Sequence, residues 1–559
     1  MSEPKAPAAA AEFPIEQIEA ILERARWGAI SPEEYAQLKA VIASFALLKE
    51  ELQSKKTSIQ RLKRMMFGAS TETTREVLGQ DAAAQALIDV PGSQGADPTG
   101  GSDTAAKREG HGRNAAAAYI GAQTLQIPHP SLQRGDACPD CVGGKVYPLK
   151  DPSVRVRFSG VAPLQAKLYE CARLRCGLCG QTYTANAPEG VGEQKYDETV
   201  PAVVGLLRYG VGLPFHRIER LQAHFSIPLP SSTQWELVQP AAAVYRPVHE
   251  KMQDYAAAGE ILFNDDTTMT VLELTAEQRA AALGEEAAKK RTGVFTSGIV
   301  SIGQGRRIAL FFTGVRHAGE NLAQVLERRP KELPPPIQMC DGLDQNLPKE
   351  FQTLLCRCIV HARRGFVEVA ASFPEEVRFV LNTLKEVYKT DARSRNQCLS
   401  PRERLQLHQE ESEPRMQALH RWMQEQFAQR KVEPNSGLGE AISHMQKNWQ
   451  GLTRFLHVEN APLDNNITER ALKRAIKHRK NSLFYKTLNG ARVGDTFMSL
   501  IHTCELNGEN AFDYLVALLR HPAQIEANPE EWMPWTYRAT LARSAANPGP
   551  PTTGHGPGP

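Results

Sequence analysis

No stretch of the 559-residue chain approaches the roughly 18 consecutive apolar residues of a membrane-crossing helix, so nothing in it calls for a bilayer. The opening MSEPKAPAAAAEFP lacks the basic segment and long apolar core of a secretory signal, and the expected compartment is the cytoplasm. Cysteine is sparse: ten residues in so long a chain, four of them in two CxxC pairs, fit reduced thiols and metal ligation better than a disulfide framework. Charge of one sign is also lacking, since the net charge is only +3, so any nucleic-acid contact must come from local basic clusters. What remains, 23% charged and 41% hydrophobic residues, is ordinary for a soluble protein. At roughly 100 to 200 residues per domain, the length implies several units.

The first unit, 15–70, reads as helices leading into a coiled coil. Leu38, Phe45, Leu52, Ile59 and Met66 recur every seven residues, with Val41, Leu48 and Leu62 three residues further on. Residues 71–128 turn to Ala, Gly, Asp and Ser and read as a flexible linker. In 129–190, Cys138-Pro-Asp-Cys141 and Cys176-Gly-Leu-Cys179 form two knuckles able to place four thiolates around one structural Zn²⁺, with strand-like sequence between them. Four protein ligands leave such a zinc no open position for catalysis. Residues 191–255 are helical by pattern, with three helices compatible with a helix-turn-helix. The third starts at SSTQWELVQ, with overlapping caps from Ser231 to Gln234 and Thr233 to Glu236.

From 256 the period changes. GEILFNDDTTMTVLEL, GVFTSGIVSIG and RRIALFFTGV read as strands, AGENLAQVLERR as a helix, PPPIQMCDG as a short strand ending at Asp341, and LLCRCIV as a strand leading into His361. Three strands, helix, strand, helix, strand is the order of a ribonuclease-H-like mixed sheet, and the fold class is α/β multidomain. In such a sheet, acids at the ends of adjacent strands meet a glutamate from a later helix. The core would occupy 256–375 and 459–535, interrupted by a helical insertion at 376–458 whose Trp422 and Trp449 are core or stacking tryptophans. The Pro- and Gly-rich end, within 536–559, is expected to be disordered.

The candidate acids are Asp265, Asp341 and Glu469, with Asp266 as the alternative first acid. Side chains alternate across a strand, so Asp265 and Asp266 cannot point the same way. Carboxylates gathered at one place repel one another unless cations compensate, and oxygen ligands of this kind select Mg²⁺ or Mn²⁺. Two such ions, about 4 Å apart, suit in-line phosphoryl displacement. Glu469 has a plainer reading as the capping-box acid of a helix beginning at Asn466, and Asp464 as a turn former ahead of it. Beyond it, Arg470, Lys473, Arg474 and Lys477 lie at helical spacing and suit DNA phosphates, as do Arg363 and Arg364 beside His361, a possible accessory residue at the site.

FNDDT, CDG followed by CIVHARRGF, and LDNNITERALKRAIKHRKNSLFY with the later SLIHTCELNG resemble the large transposase of the insertion-sequence 66 family of DDE transposases. The resemblance extends to the coiled coil ending in LKRMMFG, the GHGR element, both cysteine pairs and GLPFHRIERL. It implies magnesium-dependent cleavage and strand transfer at the ends of a mobile element by a triad falling on Asp265, Asp341 and Glu469. The implied partners are duplex DNA of the element ends and of the target, a second copy or higher oligomer through the coiled coil, and small accessory proteins of the same element. The implied setting is bacterial and nucleoid-associated. The alternative is a catalytically inactive DNA-binding repressor or domesticated descendant.

Overall fold

A computed structural model describes residues 131–137, 139, 144–147, 161–175, 182–186, 188, 194–275, 277 and 293–546, with Ile21, Ser31, Tyr35 and Leu38. The heptad ladder beyond Leu38, the linker 71–128, all four paired cysteines, most of the polar excursion between the first two strands, and the tail from 547 lie outside the described residues. The chain forms two compact units, one of Pro91–Glu170 and one of Met1–Val90 with Cys171–Pro559. In the smaller, Ala137 and Lys145 make an isolated antiparallel bridge beyond a turn at Gly135.

From Cys171 onward the larger unit carries two short antiparallel strands, β1 (Arg173–Arg175) and β2 (Thr182–Thr184), which flank the second cysteine pair in sequence. Helix α1 (Thr199–Gly205) passes into a π-helical turn, Leu206–Val211, that stops at Gly212 with φ +92°. Then come α2 (Phe215–His224) and α3 (Ser231–Ala257). The expected capping box from Ser231 to Gln234 does not form, because both side chains take other partners. Glu219 accepts from the Ser231 N–H at 3.1 Å and from its hydroxyl at 2.5 Å, and Gln234 donates to the carbonyls of Phe215 and Leu229. Helix α3 also runs on through Pro240 and Pro247. Its inner face buries Tyr245, Val248 and Met252 completely, and that burial outweighs the proline cost. Helices α1 to α3 belong to the same unit as the central sheet.

The sheet is built from β3 (Ile261–Met269), β4 (Val294–Gly303), β5 (Arg306–Gly314), β6 (Ile337–Cys340) and β7 (Leu354–Arg357), with α4 (Ala318–Leu326) between β5 and β6. The spatial order is β5-β4-β3-β6-β7; β3, β4 and β5 run antiparallel, while β6 and β7 are parallel to β3. Near-continuous apolar runs such as IVSI and IALFF suit strands covered on both faces, and Leu262, Ile299, Val300, Leu310 and Met339 are fully buried. The segment LLCRCIV is strand only as far as Arg357. Cys358 caps helix α5 (Ile359–Glu368), so His361 lies in a first helical turn and not at a strand end.

The insertion is helical as expected: α6 (Pro374–Asn396), α7 (Pro401–Glu411), α8 (Glu413–Ala428), α9 (Gly437–Lys447) and the short α10 (Trp449–Leu452). Trp422 lies against Phe379 with ring centroids 5.1 Å apart, and Trp449 stacks on His420 at 4.7 Å, so both tryptophans pack within the insertion. The chain then returns to the sheet through α11 (Asn466–Ser482) and α12 (Leu488–Leu506), and closes with α13 (Ala511–Arg520), α14 (Pro522–Ala527) and α15 (Tyr537–Ala546). The last helix corrects the boundary of the expected tail. Tyr537 is 1% exposed beside Tyr514, and the Thr540 hydroxyl donates to Glu531 O, which keeps residues up to Ala546 ordered as helix.

Helix α12 satisfies the outer edge of β5 with side chains. The N–H groups of Arg307, Ala309, Phe311 and Thr313 donate to Asn507, Thr503, Ser499 and Asp495 at 3.2, 3.0, 3.0 and 2.7 Å. The match is geometric: four helical residues rise about 6 Å and two strand residues about 6.8 Å. Asp495 also accepts from the Thr313 hydroxyl at 2.7 Å. Burial nonetheless pushes its carboxyl from an ordinary 3.8 up to about 7. A carboxyl whose folded value is raised holds its proton more tightly when folded. The ionised form therefore weakens the fold as pH rises from about 4 to about 7, with no further change above. Asp495→Asn keeps an acceptor and removes the charge. Its urea midpoint relative to wild type is expected to rise between pH 4.5 and 7.5, and a constant difference across that range would refute the assignment.

Candidate active site

Strand β3 pairs with β6 in parallel, Phe263 opposite Met339. Two residues further on come Asp265, within β3, and Asp341, the first residue past the end of β6; period-two alternation directs both carboxylates to one face of the sheet, where the charge of Asp341 acts on Asp265. The antiparallel neighbour of Asp265 is Gly298. A side chain there would collide with helix α11: a Cβ on Gly298 would meet Leu472 at 3.0 Å and Thr468 at 3.5 Å. The missing side chain lets α11 lie directly on this face, and Glu469 stands on the helix turn next to Thr468.

Asp266 points the other way. Its carboxylate pairs with His317 Nδ1 at 2.8 Å and accepts from Ala318 N at 3.3 Å, at the start of α4. Between the two candidates for first acid, Asp265 is the one that shares a face with Asp341. Burial, followed by the charge of Asp341, pushes the Asp265 carboxyl up to about 7, and the charges of Asp266 and Glu469 add to the shift.

Glu469 is not the capping acid of its helix. The first N–H of α11, at Asn466, is taken by Asp464 Oδ1 at 3.1 Å, which makes Asp464 the turn former. One carboxylate oxygen of Glu469, Oε1, is buried without a hydrogen-bond partner, 3.8 Å from His361 Nε2. His361 thus stands beside the third acid, and its own Nδ1 is buried and unpartnered.

A buried amide network fixes these positions, and nothing in the local sequence pattern announces it. Asn465 donates to Asn264 O at 3.1 Å, Asn264 donates to Asn346 O at 2.8 Å, and Asn346 donates to Asp341 Oδ1 at 2.6 Å. Gln338 joins the chain by donating to Asn264 Oδ1 at 2.9 Å. The start of α11 is thereby linked through β3 to the second acid. Arg357 adds a hydrogen bond to Asp341 O. From the insertion, His444 leans over the following peptide: a Cβ on Gly342 would lie 3.1 Å from His444 Nε2. Partial desolvation, then the charge of Arg357, holds the His444 imidazole below its ordinary value.

Among the described residues, no three His, Cys, Asp or Glu side chains gather closely enough to hold a metal ion as they stand. The donor set still fits a hard divalent cation. It combines two neighbouring carboxylates, one of which, Asp265, is pushed toward its neutral form by burial and then by the charge of the other, and a third with a buried unpartnered oxygen.

The basic residues separate into two groups. Arg470, Lys473 and Lys477 are exposed along α11, and Arg364 is exposed on α5. Arg474 departs from the expected phosphate role, because its guanidinium is taken up by Gly210 O and an ion pair with Glu505 that hold α11 against the π-turn and α12. Arg363 is partly buried. Arg479, which the sequence reading passed over, ties α11 to Thr267 and Thr268 of β3.

The fold and site define an α/β protein with a five-stranded mixed sheet, one face of which carries two neighbouring acids beneath a helix bearing a third. Its family is identified by comparison: the chain belongs to the Transposase IS66 family, whose model matches residues 194–493. Membership makes it, in general terms, an enzyme that cleaves and transfers DNA. The chain is 24% identical over 516 residues to the uncharacterized protein y4jD of Sinorhizobium fredii (strain NBRC 101917 / NGR234), covering 88% of this chain and 96% of that protein. Two further proteins of the same strain, the uncharacterized y4qI and y4hP, are each 29% identical over 33% of this chain, which spans 34% and 35% of their lengths. Among the described residues, no helix is long and apolar enough to cross a membrane.

Proposed function

We propose that this chain is a DDE transposase that binds the ends of its insertion sequence and carries out metal-dependent strand cleavage and strand transfer in a ribonuclease-H-like domain. The observation that carries the reading is the nearness of Asp265 to Asp341, whose charge acts on it, under the helix that bears Glu469. Asp265, Asp341 and Glu469 would hold Mg²⁺ or Mn²⁺. When bound, a pair of such ions lowers the barrier for attack of water or a 3′-hydroxyl on a phosphodiester and steadies the leaving oxygen. The protein's own part is positional. The amide network keeps the Asp341 carboxylate aimed along the face, Gly298 sets the distance between α11 and the sheet, and His361 stands by Glu469 within reach of a scissile phosphate.

In this reading the exposed Arg364, Arg470, Lys473 and Lys477 take phosphates of duplex DNA. Cys138, Cys141, Cys176 and Cys179 hold a structural zinc in the end-binding region. The coiled coil pairs two copies so that two ends are held together, and small accessory proteins of the element assist. The reaction belongs to the bacterial cytoplasm, at the nucleoid. The rival reading is a DNA-binding descendant without catalysis.

Strand transfer separates the two. Purified protein with duplex carrying the element's ends is expected to join 3′ ends to target DNA in Mg²⁺, and to stop completely when EDTA removes the metal while still binding the duplex. Binding without joining in any divalent metal would establish the rival. Preferential cutting of an RNA/DNA hybrid would instead indicate a nuclease of ribonuclease-H type.

A further inference from the structure

Helix α11 ends in an unusual way. Leu483, a γ-branched residue, sits at φ +66° and ψ −44°, and Phe484 N–H donates to Ser482 O at 2.8 Å, closing a γ-turn of the strained, positive-φ kind. Glycine would adopt this backbone without cost. The turn presents apolar surface to solvent: Leu483 is 67% exposed and Phe484 38%. It is also held firmly from both sides. Arg479 is bonded to Thr267 and Thr268 just before it; just after it, Tyr485 N donates to Thr270 O at 2.9 Å and Tyr485 O accepts from Leu272 N at 2.9 Å. The Tyr485 ring is buried and stacks on His478 at 4.2 Å.

The surroundings of the tip are cationic. Lys477, Lys480 and Lys486 are exposed on its two sides, continuing the strip of Arg470 and Lys473 along α11. Glu273, an exposed acid among the described residues nearby, has one carboxylate oxygen engaged in accepting from Leu488 N at 2.6 Å. A rigid apolar point projecting from a line of cations matches one partner in charge and shape, a nucleic-acid duplex whose phosphates meet the lysines while the apolar tip meets a base step.

We infer that Leu483 and Phe484 form a wedge that enters between base pairs and unstacks one step of the bound duplex. This rests on the proposed DNA-binding role of α11 and adds to it a fixed point of deformation. Apolar side chains inserted this way part neighbouring bases and kink the duplex. The strained turn holds the leucine outward where an ordinary helix end would fold it back. From Glu469 to Leu483 the helix advances about 20 Å, so a duplex lying along α11 would be opened about six base pairs from the phosphate at the acids.

The test uses the full-length protein and two duplexes of one sequence, one fully paired and one carrying a single mismatched step, with 2-aminopurine placed in turn at positions four to eight base pairs from the cleavage point. A duplex already opened spares the protein the unstacking, so wild type is expected to bind the mismatched duplex about tenfold more tightly. It is also expected to raise 2-aminopurine fluorescence at one position near six. Leu483→Gly removes the wedge while easing the backbone, and should fold at least as stably as wild type, bind both duplexes equally and leave the fluorescence low. Phe484→Ser should act the same way in part. Lys477→Gln with Lys480→Gln should weaken both duplexes alike and shallow the salt dependence. Equal binding of the two duplexes by wild type, with no fluorescent position and no effect of Leu483→Gly, would overturn the wedge and leave DNA binding intact. Failure of wild type to bind either duplex would overturn the DNA-binding reading itself.

Discussion

Glu469→Gln is expected to lower strand transfer in Mg²⁺ by more than about a hundredfold, because loss of a residue that supports a metal ligand already costs 10- to 100-fold and a ligand itself costs more. The fold should not suffer. Glu469 makes no capping bond, since Asp464 takes the first N–H of α11, and its charge adds to the repulsion that raises the Asp265 carboxyl. Replacing it by an amide of the same size relieves that repulsion, so the melting temperature should hold or rise slightly while end binding persists. Were Glu469 a helix-capping acid, the same change would cost about 1 kcal/mol of stability and leave joining intact. Assaying melting, end binding and joining on one preparation separates the two outcomes, and normal joining would remove Glu469 from the triad.

The second large effect is expected from a residue with no chemistry of its own. Gly298→Val places two methyl groups where even a Cβ would press on Leu472 at 3.0 Å, so α11 must move off the sheet. Overpacking of this kind costs about 1–3 kcal/mol, and a displacement of about 1 Å at a catalytic group costs about a hundredfold in rate. The variant should lose both stability and joining. A second change, Leu472→Ala, makes room and should restore part of each. A double-mutant cycle reads this directly, and additivity would mean that Gly298 does not set the position of α11.

How far the sequence discloses this site depends on the range of the interactions involved. The strands over 261–314, the α4 helix, and the opposite facing of Asp265 and Asp266 all follow from local period and the alternation of side chains. So does Asp464 as the turn former before α11. Other features depend on contacts between residues far apart in the chain and leave no local trace. Asn465 reaches Asn264, the π-turn takes up Arg474, and Glu219 takes the Ser231 hydroxyl at the start of α3. His361 falls in a helix and not at a strand end, because β7 has no partner residue beyond Arg357. Helix α3 continues past two prolines because its buried face is worth more than the bonds they remove. Gly298 is visible in the sequence as a glycine within a strand, a known sign of close approach, though what approaches it is not.

The ladder of Asp495, Ser499, Thr503 and Asn507 along β5 has a consequence for assembly. A sheet's outer strand ordinarily offers a row of unpaired amides that a neighbouring molecule can extend, which is a common route both to dimers and to aggregates. Here a helix of the same chain already occupies that row, alternate residue by alternate residue, so two molecules brought together on DNA cannot fuse their sheets across β5. Side-by-side copies must meet through other surfaces, and the β5 strand of one molecule is shielded from that of the next.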